Sequence, residues 1–213
     1  LAVKPSEIIF TAGGTEGNNL AIKGVALAYQ NRGKHLITTT IEHPSVLNTF
    51  QALEEFGFEV TYLPVDQSGI VSVDVVKQAL REDTILVSVM HVNNELGTVQ
   101  PIEAIGQLLK NRKYTFFHVD HVQGFGKVAL DLKQSGIDFA TISGHKLHGL
   151  KGTGLVYQRE GVRLFPLLHG GGQQENRHSG TENLAGIVSL SKAIRLILEQ
   201  KSDRLADLQL LNR

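Results

Sequence analysis

The chain has 213 residues, enough for one large α/β domain or a domain with part of another. Hydrophobic residues make up 41% and charged residues 20%, which supports a sizeable buried core, and a formal net charge of zero advertises neither a nucleic-acid nor a membrane surface. The absence of cysteine excludes disulfides, thiolate metal sites and a cysteine nucleophile within these residues; with no recognisable secretory leader and no apolar run of roughly 18 residues, a cytoplasmic protein is expected.

Short apolar runs alternate with helical patterns along the chain, which predicts a three-layer α/β/α fold around a mainly parallel sheet. Ile8 to Thr11 reads as a strand, followed by a glycine turn and a helix from about Glu16 to Asn31. His35 to Thr40 is the next strand, and Pro44 suits the first turn of the helix after it. Phe58 to Val65 reads as a strand, Val73 to Arg81 as a helix, and Thr84 to Val89 as a fully buried strand. A helix follows from Pro101 to about Asn111, then a strand from Tyr114 to Asp120. Phe139 to Ser143, Gly154 to Gln158 and Val162 to Leu168 read as three more strands. After the loop from His169 to Thr181, helical spacing of Leu184, Ile187, Val188, Ile194, Leu198, Leu205 and Leu208 predicts one long helix. The expected division is a large domain over 1–182 and a connector helix over 183–213, leading to a small domain absent from this chain.

Three stretches carry the chemistry. The first, Thr11-Ala12-Gly13-Gly14-Thr15-Glu16-Gly17-Asn18-Asn19, sets two glycines between a strand and a helix, with Thr15 placed to cap the helix. Such a turn binds anions, phosphate most often, through free N–H groups and the helix dipole. A plain strand-to-helix turn has the same composition, and the Gly-x-Gly-x-x-Gly spacing of dinucleotide folds is absent. The second, Ser143-Gly144-His145-Lys146, follows a strand, where an open α/β sheet presents its ligands. Lys146 there is either a surface lysine or an amine able to form a Schiff base with a carbonyl cofactor. His145 and His148 could be half a metal site, but no third ligand stands beside them, and no metal is expected. The third, His118-Val119-Asp120-His121-Val122-Gln123, puts a carboxylate at the tip of a buried strand. It is a helix cap or a partner for a protonated pyridine nitrogen. A phosphate turn, a strand-end Asp and a strand-end Lys in this order fit pyridoxal 5'-phosphate.

With these stretches stand Glu42-His43, His91-Val92-Asn93-Asn94-Glu95 and Ser179-Gly180-Thr181-Glu182-Asn183. Taken together, in order and spacing, they resemble the NifS/IscS group of cysteine desulfurases, within the fold-type-I pyridoxal-phosphate enzymes of the class-V aminotransferase family. The resemblance implies that Lys146 holds the cofactor and shuttles protons, Asp120 pairs the ring nitrogen, Gln123 bonds the ring hydroxyl and His43 stacks on the ring. It implies Gly14, Thr15, Ser143 and His145 as phosphate ligands, Asn94 at the substrate carboxylate or ring face, and Thr181 at the phosphate of a neighbouring subunit in a homodimer. His91 is read as structural.

The implied reaction converts L-cysteine to L-alanine and passes sulfur to an acceptor protein, in iron–sulfur cluster assembly or tRNA thiolation. The family's nucleophilic cysteine and substrate-carboxylate arginine lie beyond the present sequence, so this chain alone is expected to be inactive. His121 stands where the family carries a small residue, and His178 replaces an arginine for which Arg177 could substitute. The rival readings are a selenocysteine or cystine lyase, an aminotransferase, or a non-catalytic cofactor-binding fragment.

Overall fold

The computed structural model describes residues 2–200. Seven strands form one sheet in the order β1 (Ile8–Thr11), β7 (Gly154–Gln158), β6 (Phe139–Ser143), β5 (Phe116–Asp120), β4 (Thr84–Ser88), β2 (His35–Thr39), β3 (Glu59–Leu63). β7 is antiparallel to both neighbours and every other pair is parallel, in agreement with the mainly parallel sheet expected.

Helices α1 (Gly14–Tyr29) and α2 (Pro44–Glu55) cover one face; α3 (Val73–Ala79) and α4 (Ile102–Leu109) cover the other. Leu36 and Leu86 pack under α1 and α2 with Leu20, Val46 and Phe50, whereas their neighbours Ile37 and Val87 pack with Val76 and Ile105. This is the period of two that a strand imposes, and with both faces covered the inner strands read as unbroken apolar runs. Each such side chain contributes about 1.5–3 kcal/mol by its burial. Gly17 lets α1 lie close on the sheet: a Cβ there would stand 2.7 Å from Thr141 Cγ2 and 3.0 Å from Val156 Cγ2.

The last described helix, α6 (Leu184–Glu199), starts at Asn183, whose side chain accepts from Gly186 N at 3.0 Å. Leu190, Ala193 and Ile197 of α6 pack on Phe125, Ile142, Leu147 and Leu155. Leu205 and Leu208 of the expected helix lie outside the described residues.

Two expectations need correction. Val162 to Leu168 is not a strand. Val162 and Leu164 alternate inward, but they pack on α1, with Leu164 lying over Gly24 and Phe165 N donating to Gly24 O at 3.0 Å. Alternation reports burial of every second residue and does not require a strand partner. Thr15 does not cap α1 either: Gly13, at φ 154°, is the capping position and offers no side chain. The chain swings through Gly13 because β7 begins against it, where a Cβ on Gly154 would lie 2.8 Å from Gly13 Cα.

β1 is an edge strand. The outward N–H and C=O of Phe10 are taken by the Gln174 carboxamide, Oε1 accepting at 2.6 Å and Nε2 donating at 3.0 Å. Gln174 sits in α5 (Gln173–Asn176), a single turn in which Gln174, Glu175 and Asn176 all have positive φ.

Candidate functional site

β1 and β6 both run antiparallel to β7, so β1 shares the direction of the parallel strands. The segments leaving β1, β2, β4, β5 and β6 therefore meet at one carboxyl edge of the sheet, where open α/β folds bind ligands. A cavity of about 550 Å³ opens there. Gly14 and Thr15 reach it after β1, His43 after β2, Asn94 after β4, Asp120 and Gln123 at the end of β5, and Ser143, His145 and Lys146 after β6. Nine of the ten expected site residues thus share one wall-to-wall space; Thr181 does not.

Asp120 is buried. Its carboxylate accepts from Asn18 Nδ2 at 2.8 Å and from Val122 N at 3.0 Å. Burial pushes its pKa up, while those two hydrogen bonds and the nearby His43 pull it back down. Asn18 also donates to Ser45 Oγ at 2.9 Å, and Ser45 Oγ lies 2.8 Å from His43 Nδ1. The same Nδ1 accepts from Ser45 N at 3.1 Å and so caps α2. Capping and cavity lining are one arrangement for this histidine: the cap fixes the ring at the cavity wall.

On the opposite wall, the first-turn N–H groups of α1, from Gly14 onward, have no partner within the helix. They converge with the Ser143 and His145 side chains, whose Oγ and Nδ1 are 2.8 Å apart. Whichever of the two donates, one further N–H or O–H is left over. Burial, then Lys146 and Lys151, lower the His145 pKa, so its ring is neutral at neutral pH. This donor set suits a phosphate. Lys146 is exposed, in a 3-10 turn (Gly144–Leu147) that follows β6 directly.

Glu42, Asn18, Ser45 and Met90 also shape the site, and sequence assigned them no role. Glu42 Oε1 accepts from Thr39 Oγ1 and Met90 N, both at 2.8 Å, and Oε2 is buried without a partner. Desolvation pushes its pKa up to about 8, with the Asp120 charge adding to the effect. Beside it, Asn93 Nδ2 donates to Ile41 O at 2.9 Å. Glu42 and Asn93 thereby tie the turn carrying His43 to the turn carrying Asn94.

His118, His91 and His121 are structural in placement. His118 is fully buried between Ser88 Oγ (2.8 Å) and Thr141 Oγ1 (3.0 Å), and burial lowers its pKa to about 3. His91 and His121 share one hydrogen between Nδ1 atoms 2.9 Å apart, and His121 packs edge-on against Phe125. His121 does not line the cavity, whereas its neighbour Val122 does. Thr181 and His178 line a separate cavity of about 260 Å³, which shares Ala12 and Glu16 with the first. His178 Nε2 is 2.9 Å from Glu16 Oε1. Arg177, next to His178, lines neither cavity and donates to Ser6 O at 2.7 Å. Among the described residues no cluster of three or more His, Cys, Asp or Glu is placed to hold a metal ion, and no helix is long and apolar enough to cross a membrane.

Comparison with known proteins agrees with the fold. The chain is 57% identical over 198 residues to the "Putative cysteine desulfurase IscS 1" of Bacillus subtilis (strain 168), covering 93% of this chain and 52% of that protein. It is 53% identical over 196 residues to the "Cysteine desulfurase IscS" of Methanosarcina thermophila, covering 92% and 48%. A solved structure titled "NIFS-LIKE PROTEIN" superposes with a TM-score of 0.92 at 45% identity, over 95% of this chain and 56% of that one. Another, "SspA in complex with cysteine", gives 0.88 at 47% identity, over 92% and 56%. The chain thus spans about half the length of the relatives it matches. Residues 1–209 match the family described as Aminotransferase class-V, and the chain belongs to that family.

Proposed function

We propose that this chain is the cofactor-binding part of a pyridoxal-phosphate-dependent cysteine desulfurase, which converts L-cysteine to L-alanine and hands sulfur to an acceptor. The observation that carries the reading is one cavity holding the buried Asp120 carboxylate, the Lys146 amine and the α1 amino end. The donor set fits the group: an anion site at one end, a carboxylate for a ring nitrogen at the other and an amine between. When bound, the cofactor supplies an aldehyde that links to amines and a protonated ring that accepts electron density.

The chain's own residues then divide the work. Gly14, Thr15, Ser143 and His145 anchor the phosphate. Asp120, held by Asn18 and Val122 N, keeps a proton on the ring nitrogen. Gln123 serves the ring hydroxyl, His43 walls the ring and Asn94 meets the substrate. Lys146 Nζ would hold the cofactor through its amine and would move protons at the cavity wall. Thr181 lies outside this cavity, which suits a role at the phosphate of a partner subunit in a cytoplasmic homodimer.

The chain has no thiolate, so sulfur abstraction needs a cysteine from outside these 213 residues. Borohydride reduction of the pyridoxal-phosphate-loaded chain, followed by peptide mapping, tests the cofactor site; a pyridoxyl group on Lys110, Lys127 or Lys151 instead of Lys146 refutes it. Incubation with L-cysteine, with free cofactor and Lys146→Ala as controls, should give no alanine above background. Stoichiometric alanine would favour a lyase.

A further inference from the structure

We infer that Lys127 is a positioning residue for the cavity: it holds the carboxamide oxygen of Gln123 so that the amide N–H2 faces the bound group. The inference rests on the proposed cofactor site and deepens it.

Lys127 Nζ donates to Gln123 Oε1 at 3.1 Å. Gln123 and Lys146 both line the cavity, whereas Lys127 stands behind Gln123. A lysine ammonium has three donors and no acceptor, so whatever it bonds must present oxygen. The orientation of the Gln123 amide therefore follows from chemistry: oxygen to Lys127, N–H2 to the cavity. Without Lys127 the amide can turn over and set its oxygen against the oxygen of a bound ring hydroxyl.

The backbone makes this contact reproducible. Gln123-Gly124-Phe125-Gly126-Lys127 is gripped at both glycines. A Cβ on Gly124 would lie 2.3 Å from His91 Nδ1, and one on Gly126, at φ +75°, would lie 2.3 Å from Ile197 Cγ2 of α6. Lys127 N and Val128 N both donate to Gly124 O, at 3.0 and 2.9 Å, which closes the turn. Lys127 is thus delivered to one place by packing from two sides, although its side chain is exposed. Partial burial and then the charge of Lys146 lower its pKa. An exposed pair four residues apart adds little to stability. Its consequence is orientation.

The test loads the wild-type chain, Lys127→Met and Lys127→Arg with pyridoxal phosphate. It measures affinity by titration, the pH of the visible absorbance transition, and the unfolding midpoint of each apoprotein. Lys127→Met should weaken affinity about threefold to tenfold, the size of one polar contact. It should also move the transition upward, since the ring oxygen loses the amide N–H that shares its negative charge. Lys127→Arg, which keeps both donor and charge, should stay close to wild type, and all three apoproteins should unfold alike. Absence of either change in Lys127→Met overturns the inference, as does a Lys127→Arg variant as impaired as Lys127→Met. A wild-type chain that takes no cofactor at Lys146 overturns the functional reading itself, and the inference with it.

Discussion

Replacing Glu42 by Gln should make the protein more stable in alkali. Glu42 is fully enclosed, one oxygen bonded to Thr39 and Met90 and the other without a partner. Its folded pKa of about 8 lies above the 4.5 of a free glutamate, through desolvation first and the Asp120 charge second. The sign follows from proton linkage: between these two values the folded state holds a proton that the unfolded state has released. The stabilising effect of protonation is therefore complete below about pH 4.5 and is lost as pH rises through about 8. At ~1.4 kcal/mol per unit, the wild type loses about 3 kcal/mol from this group between pH 5.5 and 8.5. Gln keeps an oxygen for Thr39 and Met90 and cannot ionise. Its N–H2 replaces an oxygen that already lacked a partner, so the remaining cost is of order 1 kcal/mol and independent of pH. Urea unfolding of both apoproteins at several pH values gives the difference directly, and titrations common to both cancel. The advantage of Glu42→Gln should widen by about 3 kcal/mol from pH 5.5 to 8.5. A gap that stays constant, or narrows, would mean that Glu42 is ionised in the fold and that the desolvation argument is wrong.

Ser45→Ala removes the hydroxyl joining Asn18 to His43 and should cost about 1–2 kcal/mol by denaturant unfolding, with weaker cofactor binding; unchanged values for both would show the link to be idle. Gly17→Ala raises helix propensity yet forces a methyl to within 2.7 Å of Thr141 Cγ2, so it should destabilise by about 1–3 kcal/mol. A higher melting temperature in that variant would contradict the close approach of α1. Asp120→Asn removes a buried charge, so the apoprotein should be at least as stable at neutral pH while cofactor affinity falls tenfold or more. Equal affinity by titration would separate Asp120 from the ring nitrogen.

The fold and most of the site were legible because their signals are local. β4 and β5 are covered on both faces, so the residue types that survive there announce a buried parallel strand. His43, Asp120 and Lys146 each adjoin the carboxyl end of such a strand, Gly14 follows the edge strand β1 that runs the same way, and that gathers them at one edge. What sequence hid depends on distant pairings. Glu42 finds Met90, 48 residues away, and Asn18 finds Asp120 across 102 residues. No local pattern distinguishes Val162 and Leu164 lying on a helix from the same residues in a sheet. His178 likewise gained its partner Glu16 only when the loop folded back over the first turn of α1.

The Gln174 amide against Phe10 bears on how this protein behaves at high concentration. An edge strand with free N–H and C=O groups is a template on which another chain can add a strand, the first step of sheet-to-sheet aggregation. Here a side chain occupies the central rung of β1 and leaves an incoming strand no continuous ladder to copy. The left-handed turn at 174–176, uncommon for residues other than glycine, is the conformation that brings the amide edge-on to the strand. It works as a guard on solubility, and losing the glutamine would open the sheet to its own kind.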